Sequence, residues 1–361
     1  MNSKIKVGVI GLGEVAQTIH LPVLQQLQEQ FEVVAICDVS PTLVETIGNH
    51  YQVPHRYEKV EDLVENANLE AIFVLNSDEY HADCIVQAVR RGLHVFVEKP
   101  MCLTISDAER IIEEKNKAQV NVMVGYMRRY SPAYQQAVKE IQSLDKINFA
   151  RFKDIIGPNS FFIGQTNHVH RFQDVADHLV ADRAMRGQVQ VGEALGSLAE
   201  KYYHTYRQLG GLASHGLSAM RGMLGMPDKV IAAARWRNDQ HFMNAVFQYG
   251  DYMVHYETGV DNQGRFDAAI EVHGDLKTVE VQYDTAYIRH LPTTLTIKET
   301  IGDSYQETFI RPTYTDAYTV ELTTFYDTIR HNKAVPTPPE DAIDDLRLFK
   351  MLIEAMEQGS L

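Results

Sequence analysis

The first 125 residues alternate short apolar runs with amphipathic stretches. Candidate strands lie at Ile5–Ile10, Glu32–Cys37, Glu70–Leu75, His94–Val97 and Asn121–Gly125, with helical patterns between most of them. These runs are apolar at nearly every position, which implies burial on both faces and hence a parallel sheet covered by helices. From about Lys146 the pattern changes. Lys146–Ile156 reads as a strand, and a polar, largely helical stretch follows to about Leu224. Strand-like segments then recur at Val230–Arg237, Ala245–Tyr249, Tyr252–Gly259, Ala268–His273, Thr278–Tyr283, Thr294–Lys298 and Glu307–Ile310. Turn chemistry such as Tyr249-Gly250-Asp251 separates several of them, as hairpins require. Two helical patterns, Ala317–His331 and Glu340–Gly359, close the chain on either side of a Pro-rich turn. The expected architecture is α/β plus α+β. A doubly wound parallel sheet occupies residues 1–125, and a mostly antiparallel open sheet flanked by helices occupies 126–361, with an insert at about 157–208.

Composition narrows the function class. A chain of 361 residues exceeds one ordinary hydrophobic core, and 45% hydrophobic with 23% charged residues is globular composition. The net charge of −14 argues against a nucleic-acid partner, which needs clustered Lys and Arg. Three scattered cysteines, Cys37, Cys84 and Cys102, suit reduced thiols and not a disulfide framework or zinc site. No apolar run reaches the roughly 20 residues of a membrane helix, and no signal peptide opens the sequence, so the expected location is the cytoplasm.

The first strand runs into Gly11-Leu12-Gly13-Glu14-Val15-Ala16 and a helical stretch, the context that gives a G-x-G-x-x-A pattern meaning. In a Rossmann domain Gly11 permits the tight turn, Gly13 lets the backbone approach a pyrophosphate, and Ala16 allows close helix–strand packing. The helix start at Glu14 and Val15 turns its free N–H groups toward the phosphates. Asp38, at the end of the second strand, suits a carboxylate that accepts from the adenosine ribose hydroxyls. Its charge repels a 2′-phosphate, and Val39-Ser40-Pro41 supplies no Arg, so NAD is expected and not NADP. The competing reading makes Asp38 a cap of the next helix.

Ala71–Pro100 reads AIFVLNSDEYHADCIVQAVRRGLHVFVEKP. This stretch resembles the glucose–fructose oxidoreductase / inositol dehydrogenase (Gfo/Idh/MocA) family. The likeness extends to Gly125-Tyr126-Met127-Arg128-Arg129-Tyr130-Ser131-Pro132 and to Phe325–Gly359. The resemblance implies a two-domain dehydrogenase of sugars, polyols or related compounds. It places Asn76, Ser77 and His81 in a strand-end cofactor loop, Glu98 and Lys99 in the Glu-Lys-Pro motif, and Arg129 at a structural position.

Oxidising a carbinol by hydride transfer requires a base for the hydroxyl proton and a positive charge for the developing alkoxide. Lys99, beside the stiffening Pro100, is the candidate charge; otherwise it is a surface lysine or pairs with Glu98. For the base, the resemblance points to His215, ahead of a helical stretch that ends at Leu224-Gly225, and imidazole titrates near neutrality. The plain alternative is a helix-start histidine bonded to backbone. Many family members carry Asp four residues before that His; here the position is Gly211, with Asp177 and His178 as candidate substitutes. His168, His170, Arg171, Asp174, Asp177 and His178 make the insert chemically distinctive. They fit a solvated polar loop, a substrate lid or a metal site, and with no tight ligand motif no metal is expected. The leading function is an NAD-dependent oxidoreductase acting on a CH–OH group of a small-molecule substrate, with the chain assembled as a homodimer or homotetramer. NAD-assisted glycoside cleavage and a non-enzymatic NAD-sensing regulator are the alternatives.

Overall fold

The computed structural model describes residues 4–236 and 242–359; Arg237, the end of one expected strand, lies outside them. In chain order the elements are β1 (Ile5–Ile10), α1 (Leu21–Gln26), β2 (Phe31–Cys37), α2 (Pro41–His50), β3 (His55–Tyr57), α3 (Val60–Asn66), β4 (Ala71–Val74), α4 (His81–Arg90), β5 (His94–Glu98), α5 (Ile105–Ala118) and β6 (Val122–Gly125). They continue with α6 (Pro132–Gln142), β7 (Phe149–Ile156), α7 (Asn159–Thr166), α8 (Asp177–Leu195), α9 (Ala199–Gln208) and α10 (Ser214–Leu224). Strands β8 (Lys229–Trp236), β9 (Phe242–Tyr249), β10 (Tyr252–Val260), β11 (Phe266–His273), β12 (Lys277–Tyr283), β13 (Thr294–Ile301) and β14 (Ser304–Ile310) follow, then α11 (Ala317–Arg330) and α12 (Pro339–Gln358).

The chain divides into two compact units, neither continuous in sequence. One comprises Met1–Gly125, Asn167–Tyr203 and Glu321–Leu346; the other comprises Tyr126–Thr166, His204–Val320 and Arg347–Leu361. The stretch read as one insert is therefore split, with 167–203 joining the first unit.

In the first unit six parallel strands run in the order β3-β2-β1-β4-β5-β6, the doubly wound Rossmann arrangement. The near-continuous apolar runs are buried as the pattern requires: every residue of β4 and β6 is inaccessible, as is all of β1 except Lys6. Phe31, Phe73, Phe96 and Phe325 pack edge-on or tilted against one another, with ring centroids 5.1–6.1 Å apart. Such pairs add to the burial of large apolar area. The short β3, sequence His-Arg-Tyr, adds an edge strand that carries no apolar signal.

The second unit holds an eight-stranded sheet in the order β14-β13-β12-β11-β7-β10-β9-β8. Only the β7–β10 pairing is parallel. Burial along β7 alternates strictly, so one face is covered and the other is half-exposed. Buried under the covered face, the Arg128 guanidinium bonds both oxygens of Asp154 on β7, at 3.1 and 2.8 Å. Their side chains are 6% and 0% exposed, and the guanidinium also lies over the Tyr283 ring, 5.1 Å from its centroid.

Candidate active site

The strands of the first unit are parallel, so the carboxyl ends of β1, β2, β4 and β5 share one edge of the sheet. Gly11, Asp38 and Asn76-Ser77 follow β1, β2 and β4 within three residues, and Glu98 ends β5 with Lys99 next to it. This is the edge where open α/β sheets bind ligands.

Gly11 has φ +89°, and a Cβ there would stand 2.4 Å from the backbone N of Asn76. The residue is glycine because the β4 end crosses so closely, a constraint beyond the tight turn itself. Gly13 is the opposite case: it is exposed, and a Cβ would meet nothing within 4 Å. That open backbone is the cradle a pyrophosphate needs, so the loop fits a dinucleotide. Ala16 is fully buried, as close packing of helix on strand demands. Glu14 and Val15 begin the helix, which passes through a π-turn at Ala16–His20 before α1. Single π-turns are frequent at functional sites.

Asp38 accepts from the backbone N–H of Leu12 at 2.7 Å and of Ser40 at 3.0 Å, tying the glycine loop to the β2 end. Burial pushes its carboxyl above the ordinary value, the two N–H groups oppose that, and the charge of Asp174 adds to the rise. The helix cap proper is Ser40, whose Oγ accepts from Leu43 N–H.

His81 is buried, with Nδ1 2.9 Å from the Pro100 carbonyl and Nε2 2.9 Å from the Asn76 carbonyl. Its ring ties the β4 and β5 ends together, which is a positioning role. Asn76 donates weakly to Cys84 Sγ, and its buried side-chain oxygen finds no donor among the described residues. Ser77 starts the short turn Asp78–Tyr80 that leads into α4. Glu98 is committed inward: Oε1 lies 2.7 Å from His20 Nε2, and Oε2 accepts from Lys99 N–H at 3.1 Å. Burial would raise its carboxyl, but His20 and the Lys99 charge outweigh burial and hold it below the ordinary range. This buried pair fixes the backbone from which the half-buried Lys99 projects, and the Lys99-Pro100 peptide is cis.

His215 belongs to the second unit, in the first turn of α10. It does not stand at a free helix start: α9 runs into α10 through a π-turn at Leu209–Ala213. The start of α10 packs on β10 and β7: the Tyr256 hydroxyl donates to the Ala213 carbonyl at 3.1 Å, and a Cβ on Gly216 would lie 3.1 Å from the Tyr256 ring and 3.6 Å from Asp154. Gly211 lies in that π-turn, exposed, with open space where a side chain would begin. Arg129, named from the sequence, lies against Gly222, where a Cβ would come within 2.7 Å of its Nε.

The polar insert residues do not converge on a metal: no group of three His, Cys, Asp or Glu suited to one occurs among the described residues. Instead 167–203 is fastened to the first unit by polar contacts. Gln17 and the His170 backbone exchange two hydrogen bonds, of 2.9 and 3.1 Å, and Arg171 pairs with Glu14. Asp174 accepts from the Ser40 hydroxyl at 2.6 Å and from Thr42 N–H at 2.9 Å. Along α8, Asp182 accepts from Tyr80 and Arg186, and Arg186 also bonds Asp83 on α4. Asp177 opens α8, followed by His178. Asp174 stood out in sequence only as one polar residue of the insert; its partners, more than 130 positions away, carried no signal.

A Rossmann unit with an open glycine cradle, in a chain whose second unit is built on a large mostly antiparallel sheet, is a two-domain dinucleotide-binding architecture. Two family models match the chain. An oxidoreductase family NAD-binding Rossmann fold matches residues 5–126, and the C-terminal alpha/beta domain of the same family matches 201–360. The chain belongs to this Gfo/Idh/MocA oxidoreductase family, and its first unit is an NAD-binding fold. An inositol 2-dehydrogenase from Salmonella paratyphi B is 33% identical over 141 residues, covering 38% of this chain and 42% of that protein. The chain thus spans less than half the length of such curated relatives. Among solved structures, aldose-aldose oxidoreductase from Caulobacter crescentus with glycerol superposes with TM-score 0.75 at 19% identity, covering 99% and 98% of the two chains. The scyllo-inositol dehydrogenase from Lactobacillus casei, with NAD(H) and scyllo-inositol, gives TM-score 0.71 at 19% identity over 99% and 98%. Residues 127–200 lie outside both family matches. No helix among the described residues is long and apolar enough to cross a membrane.

Proposed function

We propose that this protein is an NAD-dependent dehydrogenase that moves a hydride between the nicotinamide and a carbinol or carbonyl of a polyol, sugar or related hydroxylated compound. The observation that carries the reading is the open Gly13 cradle on the same sheet edge as Lys99, in a chain of this oxidoreductase family. Bound NAD supplies the hydride acceptor. The chain's own residues do the rest: Gly11, Gly13, Glu14, Val15 and Asp38 bind the dinucleotide, with Asn76 and Ser77 at the β4 end. His81 and Glu98 hold that edge in place. The Lys99 ammonium stabilises the developing alkoxide, and His215 takes the hydroxyl proton. Three buried free thiols support a reducing compartment, the cytoplasm. The half-exposed face of the eight-stranded sheet supports a homodimer or homotetramer.

The test is a panel of polyols, aldoses and keto-sugars followed by NADH absorbance. Lys99→Ala and His215→Ala should each lower turnover by about 10²- to 10⁴-fold while changing NAD affinity little. Full turnover by His215→Ala would refute the proton-transfer assignment. Retained NAD with no net reduction on any substrate would point to glycoside cleavage or sensing.

A further inference from the structure

The corner between β2 and α2 is where a Rossmann domain meets the adenosine ribose and, in NADP enzymes, its 2′-phosphate. Donors gathered there, at the N-terminus of a ten-residue helix, include the N–H groups of Val39, Ser40, Thr42 and Leu43 and the hydroxyls of Ser40 and Thr42. Such a helix end is a ready anion site. In this chain the site is filled by the protein itself. Asp38 takes the Ser40 N–H. The two oxygens of Asp174 take the Ser40 hydroxyl and the Thr42 N–H. The single Ser40 hydroxyl proton is given to Asp174 while Oγ accepts from Leu43, so the side chain has no donor left for a phosphate.

Asp174 is held there by more than its own contacts. It ends a strap that begins at His170, locked to Gln17 by two hydrogen bonds, and continues through Arg171, paired with Glu14. The strap therefore joins the two halves of the fingerprint, the helix start after Gly13 and the β2–α2 corner. Beyond it, α8 is fastened through Asp182 to Tyr80 and through Arg186 to Asp83. The hydrogen bonds from Ser40 and Thr42 hold the Asp174 carboxyl below its ordinary range, so it is ionised at neutral pH.

We propose that Asp174 is a specificity-determining residue: it occupies, with a carboxylate from a distant segment, the anion place that a cofactor 2′-phosphate would need. NADP would meet two carboxylates there and donors already engaged by Asp38, Asp174 and Ser40, whereas NAD has no phosphate to place. Asp38 rejects NADP by charge next to the ribose; Asp174 rejects it by consuming the donors. The inference concerns the dinucleotide site alone and stands whether or not the substrate and catalytic assignments hold.

The experiment measures NAD and NADP affinities by isothermal titration calorimetry on the full chain. The proteins are the unmodified one, Asp174→Ala, Asp38→Ala and the double variant. Removing Asp174 should raise the NADP-to-NAD affinity ratio by about tenfold or more, in the unmodified background or in the Asp38→Ala background. A rise of about threefold or more in either background supports the assignment, and a smaller change in both overturns it. If Asp174→Ala does not fold, judged by its thermal transition, Asp174→Asn carries the same comparison. It removes the charge and replaces one of the two acceptor oxygens by an amide donor, so one corner donor is released, and the same threefold criterion applies.

Discussion

Replacing Asp154 by Ala strands a buried positive charge, and the geometry sets the size of the effect. Arg128 loses both of its hydrogen bonds to the carboxylate, at 2.8 and 3.1 Å, in a place where its side chain is 6% exposed. The Phe266 and Tyr283 rings flank the guanidinium, with centroids 5.8 and 5.1 Å away, so water cannot readily take the place of Asp154. Breaking a buried pair from one side typically costs about 3–5 kcal/mol. That is a large fraction of the roughly 5–15 kcal/mol that stabilises a domain. At about 2–4 °C per kcal/mol, the thermal midpoint of the second unit should fall by roughly 6–20 °C. Urea unfolding followed by far-UV circular dichroism measures the same loss as a lower midpoint. Replacing both partners by apolar residues, Arg128→Met with Asp154→Leu, should recover most of it, because no unpaired charge remains. A loss below about 1 kcal/mol in Asp154→Ala, or a double variant as unstable as the single one, would refute the reasoning.

Gly11→Ala must bear both a positive φ and a backbone clash with Asn76, so it should lose at least about 1–3 kcal/mol and most NAD affinity; calorimetry showing normal binding would contradict the close approach. Gly211→Asp enters open space, so its melting transition should stay within about 1 kcal/mol of the unmodified protein, and a larger loss would show the position is not open. Acid should release α8. Burial opposes ionisation of Asp83, but Arg110 and Arg186 prevail and lower its value, and the Tyr80 hydroxyl and Arg186 lower that of Asp182. Lowered carboxyl values mean that the attachment is complete above the ordinary carboxylate range and is lost as pH falls through those values. Hydrogen exchange across Asp177–Leu195, corrected for intrinsic rates, should therefore rise below about pH 4 before exchange in β1 or β4 does. Unchanged protection of α8 from neutrality to that range would count against the polar docking.

The parallel sheet, the glycine loop and the alternating strands of the second unit were legible along the chain, because each is a local pattern. A run such as Ala71–Val74, apolar at every position, has only a doubly covered sheet to enter. Gly11-Leu12-Gly13 declares its turn in three residues, and the alternation along Phe149–Ile156 declares one covered face. Tertiary structure decided what depends on partners far along the chain. The edge strand His55–Tyr57 has no apolar signature and exists because β2 offers it an open row of backbone groups. Arg128 and Arg129 are indistinguishable by type, yet only the fold sets Arg128 against Asp154 in the interior. The segment 167–203 reads as a solvated polar stretch because it docks largely through charges and backbone groups, with only the short stripe Gly187, Val191 and Leu195 buried along α8. Its contact with the cofactor corner, Asp174 on Ser40, joins residues 134 positions apart. Hydrogen-bonding groups specify a partner by geometry and not by pattern, so that pairing became visible only once the chain was folded.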